Sequence, residues 1–178
     1  MAFINVADAD GVSHQLCQQD MDQSCACASV AMVVRKIKST GLDEQSARRT
    51  IDGLMAHEHS RGQNNWQTMG SMDFIVASAL SEYKVSTAKT WDNLNGAMMS
   101  QYLQTRCTKT KPGIAFVDWT GGGGHAIVCL GKDNGGTNVL FLDPGHNAVV
   151  SIPVAHLPAY AAPYGGNGSF KSWIVTTV

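Results

Sequence analysis

Ten consecutive residues, Cys25-Ala26-Cys27-Ala28-Ser29-Val30-Ala31-Met32-Val33-Val34, carry one polar hydroxyl, that of Ser29, and no charge. The run has good helix propensity, and its apolar positions go most of the way round. Such a helix has to be covered on nearly every side, so the rest of the chain must build a core around it. Ser24 stands at the N-cap position and makes Cys25 the first helical residue. The helix is expected to run to about Ser39 and to stop at Gly41. A length of 178 residues suits one domain with a sizeable core, so residues 1–178 are read as a single domain.

Around that helix the pattern changes once. Phe3-Ile4-Asn5-Val6 reads as a short strand or arm before a polar turn. Asp43 can cap a second helix through Ala47, Ile51, Leu54 and Met55, and the polar stretch His57 to Asn65 reads as an exposed loop. A third helix is expected over roughly Thr68 to Tyr83 and a fourth from Leu94 to about Arg106. After Pro112 the period becomes that of strands: Ile114 to Trp119, His125 to Leu130, Val139 to Asp143, Ala148 to Ile152, and Trp173 to Val178. Lys132-Asp133-Asn134-Gly135-Gly136 has hairpin-turn chemistry. Residues 153–169 hold three of the five prolines and read as an irregular surface loop. Helices first and antiparallel strands second predict an α+β fold, not alternating α/β.

The chemistry gathers at the ends of these elements. A sulfur at the start of a helix sits at the positive end of its dipole, which favours the nucleophilic thiolate. Gln19 lies six residues before Cys25. Its amide NH2 can point where a tetrahedral oxyanion would form, beside the backbone N–H of Cys25. His125 opens a strand after four glycines, Gly121 to Gly124, where a substrate backbone could approach closely. Asp143 ends the next strand, and antiparallel pairing sets the two side by side. Taken singly, each has an ordinary explanation: a core thiol, a tight loop with a surface histidine, an Asp-Pro-Gly turn. Together they form a thiol, an imidazole and an orienting carboxylate. Cys27, about 200° around the helix from Cys25, is expected to be a buried core thiol.

Gln, five residues, Cys at a helix start, a Gly-His strand, and Asp-Pro after the following strand resemble the papain-like cysteine peptidases over about residues 15–152. The resemblance is to the compact bacterial branch: domains that process double-glycine bacteriocin leaders, and papain-like effector proteases. Ala26 stands where that branch often has glycine, and no aromatic follows Cys25 as in papain. The resemblance implies Cys25 as nucleophile, His125 as base, Asp143 as orienter and Gln19 as oxyanion residue. It implies peptide-bond hydrolysis with a peptide or protein as partner. Phytochelatin-synthase-like transpeptidases share the motif order and transfer γ-glutamyl-cysteine. Papain-like cell-wall amidases more often place histidine at the third position. A binding module would tolerate replacement of Cys25.

A net charge of −1 with 15% charged residues argues against nucleic acid, and a monomer is expected. No apolar window reaches the length of a membrane span. The first fourteen residues have neither a basic nor an apolar signal region, so the expected location is cytoplasmic, or outside by a signal-less route. Five cysteines, an odd number without a framework spacing, suit free thiols. No cofactor is expected, and no metal, because His57 and His59 are spaced wrongly for one helical face.

Overall fold

The apolar run becomes helix α1 (Cys25–Lys38) in a computed structural model that describes residues 3–59, 73–90 and 96–176. Every residue from Cys25 to Val34 is buried. The helix ends before Gly41: Ser39 turns into the left-handed region at φ 51°, and its N–H bonds to the Arg35 carbonyl. Asp43 caps α2 (Glu44–His59), its Oδ1 accepting the Ser46 N–H at 2.7 Å. The α2 backbone continues through His57, Glu58 and His59, where a loop was expected. The rest of that expected loop, the start of the expected third helix and Leu94 lie outside the described residues. Helices α3 (Asp73–Glu82) and α4 (Gly96–Thr105) follow, the first ending one residue before Tyr83 and the second one residue before Arg106.

Strands β1 (Phe3–Ala7) and β2 (Ser13–Cys17) form an antiparallel hairpin of their own. The second strand was not anticipated, although His14 and Leu16 point inward and Ser13 and Gln15 outward with the period of two. Asp8 holds the hairpin turn. Its Oδ1 accepts the N–H groups of Asp10 and Val12, both at 2.9 Å. Its Oδ2 meets His14 Nε2 at 2.8 Å and Lys109 Nζ at 2.7 Å.

The main sheet joins β3 (Thr87–Thr90), β4 (Gly113–Trp119), β5 (Gly124–Lys132), β6 (Asn138–Asp143), β7 (Ala148–Pro153), β8 (Ala159–Ala161) and β9 (Asn167–Thr176). The order is β3-β9-β4-β5-β6-β7, with β8 paired to β9 and all neighbours antiparallel. Alternation along the strands divides the core in two. Ala126, Val128, Leu130, Leu140 and Leu142 pack toward α1, while Ile127, Cys129, Val139 and Phe141 pack on the other face with Met99 and Leu103 of α4. A register shift in β5 is made at Gly131, at φ 78°, where a Cβ would lie 2.1 Å from the Cys107 carbonyl oxygen.

The segment 153–169 is not the irregular surface loop its prolines suggested. It makes a short 3-10 turn (Val154–His156), strand β8, and the start of β9. Gly168 lets this strap lie close, because a Cβ there would meet the Asp118 carbonyl oxygen at 2.3 Å. Tyr160, in the middle of β8, is 1% exposed. Among the described residues no helix is long and apolar enough to cross a membrane.

Candidate active site

The N-terminus of α1 and the first residues of β5 meet at one end of the sheet. Ser29, one turn into α1, ties them together by donating its hydroxyl to the Ala126 carbonyl at 3.1 Å. That clamp sets Cys25 against β5, where the Ala126 N–H donates to Cys25 Sγ at 3.4 Å. Ser24 occupies the N-cap, but its side chain makes no capping bond to the helix. The hydroxyl turns back to the Met21 carbonyl at 2.9 Å and tightens the loop before the helix. The first N–H groups of α1 therefore receive nothing from Ser24.

His125 has a diagonal neighbour on each side of it in the sheet. In the β4–β5 pairing Val117 faces His125, so Trp119, two residues on, lies diagonally on the same face. Its indole stacks on the imidazole with centroids 5.6 Å apart. On the other side Val128 pairs with Leu142, and Asp143 follows directly. His125 Nε2 donates to Asp143 Oδ1 at 2.8 Å, which leaves Nδ1 for the sulfur of Cys25. Burial opposes the charge on this imidazole. The hydrogen bonds to Asp143 and to Cys25 outweigh it and bring the pKa up to about 9.

Asp143 is fully buried. Its Oδ1 also accepts the Gly145 N–H at 2.8 Å, and its Oδ2 accepts the Tyr160 hydroxyl at 2.5 Å. Burial alone would raise this carboxyl, but His125, Tyr160 and Gly145 together hold it below the ordinary range. Gln19 lies across the same cleft, its backbone N–H fixed to the Pro144 carbonyl at 3.0 Å. Its Nε2 is 3.4 Å from the carbonyls of both Met21 and Asp22, two long bonds, and its buried Oε1 has no partner. Arg48 of α2 pairs with both Asp20 and the buried Glu44, tying the Gln19 loop to the body of the protein.

A cleft of about 630 Å³ opens over these groups, bordered by Gln19, Trp119, Gly123, His125, Gly145 and Tyr164. The structure thus brings Cys25, His125 and Asp143 into one chain of contacts, with Gln19 at its rim. Cys27 points into the core, fully buried, where burial and the nearby Glu44 push its thiol up. Burial likewise raises Cys17, to about 12. His146 joins through its backbone, donating to the Asp143 carbonyl at 3.1 Å, and its ring lies 6.4 Å from that of Tyr164. No group of three His, Cys, Asp or Glu among the described residues is arranged to hold a metal.

Sequence reasoning missed Trp119, Ser29 and Tyr160. The first was recoverable from the hairpin register, since a residue two beyond the partner of His125 must share its face. No local signal marks Tyr160.

A family model described as the Peptidase_C39 like family matches residues 12–164. Among solved structures, the crystal structure of the Pseudomonas avirulence protein AvrPphB is similar at 12% identity and a TM-score of 0.45, over 79% of this chain and 81% of that one. No curated protein matches the sequence.

Proposed function

The chain belongs to the Peptidase_C39 like family and is a cysteine peptidase, and we propose that it cleaves peptide bonds through Cys25, His125 and Asp143 with Gln19 at the oxyanion. The observation that carries this reading is the contact chain from the Cys25 sulfur through His125 to the buried Asp143. Cys25 Sγ attacks the carbonyl carbon as a thiolate. The oxyanion that forms is held by the Cys25 N–H and by Gln19 Nε2. The imidazolium of His125 gives its proton to the leaving amine as the C–N bond breaks, leaving a thioester. His125 then takes a proton from water, the hydroxide adds to the thioester, and Cys25 departs as thiolate. Asp143 keeps its charge throughout and holds the ring.

Limiting iodoacetamide at neutral pH tests the nucleophile directly. Cys25 is expected to be modified well before Cys17, Cys27, Cys107 and Cys129. The rise in the Cys17, Cys27 and Cys107 thiols keeps them protonated, and all five cysteines are buried, with Cys25 alone placed against an imidazolium among them. Labelling of Cys25 only after unfolding, or Cys27 reacting as fast, removes Cys25 from the role. A cleavage profile on a proteome-derived peptide library, read by mass spectrometry, then gives the preferred residues around the scissile bond.

Oxyanion support is separable from nucleophilicity. Gln19→Ala is expected to lower turnover by roughly 10²–10³-fold, the usual loss for one oxyanion donor. Cys25 remains readily alkylated in that variant, because alkylation forms no oxyanion. The two long bonds to Met21 and Asp22 are easily exchanged for one to a charged oxygen. Equal loss in Gln18→Ala or Gln23→Ala, with Gln19→Ala unaffected, assigns the donor elsewhere.

A further inference from the structure

We infer that Tyr160 is a positioning residue for the proposed triad: its hydroxyl fixes the plane of the Asp143 carboxylate, and through it the aim of His125 at Cys25. The inference rests on the assignment of Cys25, His125 and Asp143 above. A carboxylate bonded through one oxygen can pivot, since the terminal torsion of Asp is broad. At Asp143, His125 and Gly145 both bond Oδ1, and the hydroxyl of the half-exposed Tyr164 also reaches the carboxylate, so Oδ2 is the atom whose buried partner fixes the plane. Tyr160 takes it.

The phenol is itself packed on several sides. Tyr160 is held in β8 by pairing with Gly168, and its ring packs 5.5 Å from Phe170, 5.9 Å from Trp119 and 6.4 Å from Phe141. A donor already fixed by packing loses little entropy in orienting its partner. The choice of a neutral donor also matters. The other buried His–Asp pair, His14–Asp8, has Lys109 on the same carboxylate oxygen as the imidazole. There a second cation competes with any charge on the ring, and burial keeps His14 below its ordinary value. At Asp143 the phenol orients the carboxylate without adding charge. Burial and the Asp143 carboxylate push the Tyr160 pKa upward, so the hydroxyl remains a donor at working pH. Cys25, Asp143 and the half-exposed Tyr164 are the other titratable groups facing His125.

The test is the rate of Cys25 alkylation against pH, with thermal melts, for the wild type, Tyr160→Phe, Asp143→Ala and the double variant. Tyr160→Phe keeps the ring packing and removes only the donor. It is expected to slow alkylation at pH 6 about tenfold, the scale of one hydrogen bond to a charged group. The pH window of reactivity should narrow from both sides as the thiolate–imidazolium pair loosens. In the Asp143→Ala background the same change should add nothing, because Tyr160 acts only through that carboxylate. An unchanged profile in Tyr160→Phe, or a full effect without Asp143, overturns the inference. A wild type with no selective Cys25 reactivity instead overturns the triad, a distinguishable result. If Tyr160→Phe does not fold, NMR of the wild type decides. The phenolic proton should shift as His125 titrates, and a proton indifferent to that titration contradicts the role.

Discussion

Cys25→Ala is expected to remove peptide-bond cleavage, by roughly 10⁴-fold or more, while Cys27→Ala is expected to leave turnover within about twofold. The two thiols are two residues apart and the substitution is chemically identical, so the contrast isolates position. Cys25 accepts an N–H from Ala126 and faces His125. Cys27 is fully buried among the side chains that cover α1, with its thiol raised by burial. Its replacement costs only the packing of one sulfur, on the order of 1 kcal/mol, read as a lower melting temperature. Both variants are compared on the same peptide library, with circular dichroism confirming the fold. Cleavage by folded Cys25→Ala, or loss of cleavage in folded Cys27→Ala, transfers the nucleophile to the other thiol.

His125→Gln is expected to lower turnover by roughly 10³-fold or more, the upper range for a positioned acid–base group. The wild type should also lose kcat/KM as pH rises through about 9, where His125 gives up the proton needed by the leaving amine. Stability follows with a definite sign. The folded pKa of about 9 lies above the ordinary 6.5, so the charged ring favours the fold. That contribution is complete below about pH 6.5 and is lost as pH rises through 9. His14 works the other way. Its depressed value gives stability that is present above its ordinary pKa and lost as pH falls through its folded value. Melting curves from pH 6 to 10 should therefore show an alkaline decline in the wild type that His125→Gln lacks. Equal declines in both proteins show that the His125 charge is not coupled to the fold.

The parts of the site legible in the sequence are those set by neighbours along the chain or across one hairpin. Cys25 at a helix start follows from residues 24–34, and burial of that helix follows from its own side chains. The meeting of His125 and Asp143 follows from antiparallel pairing and a short turn, because residues on the same face at adjacent strand ends come together whatever surrounds them. The change of period after Pro112 likewise foretold helices before strands.

Other features depended on contacts that no local pattern encodes. Ser24 has the right residue type for a cap, yet its hydroxyl serves the preceding loop because the Met21 carbonyl lies 2.9 Å away. Strand β2 was hidden because three of its five residues are polar, the buried His14 among them, and only the hairpin with β1 makes it a strand. Tyr160 sits between prolines in a segment with turn chemistry. It became a buried donor only when β8 paired with β9 and carried it over the end of β6. By itself the sequence determined a buried helix bearing a thiol at its N-terminus and a hairpin pair of histidine and aspartate, since both are short-range consequences of periodicity. Only the tertiary structure decided how the two are joined, because the Ser29 clamp and the Tyr160 hydroxyl depend on how the layers pack: the helix on one face of the sheet, the aromatic rings on the other.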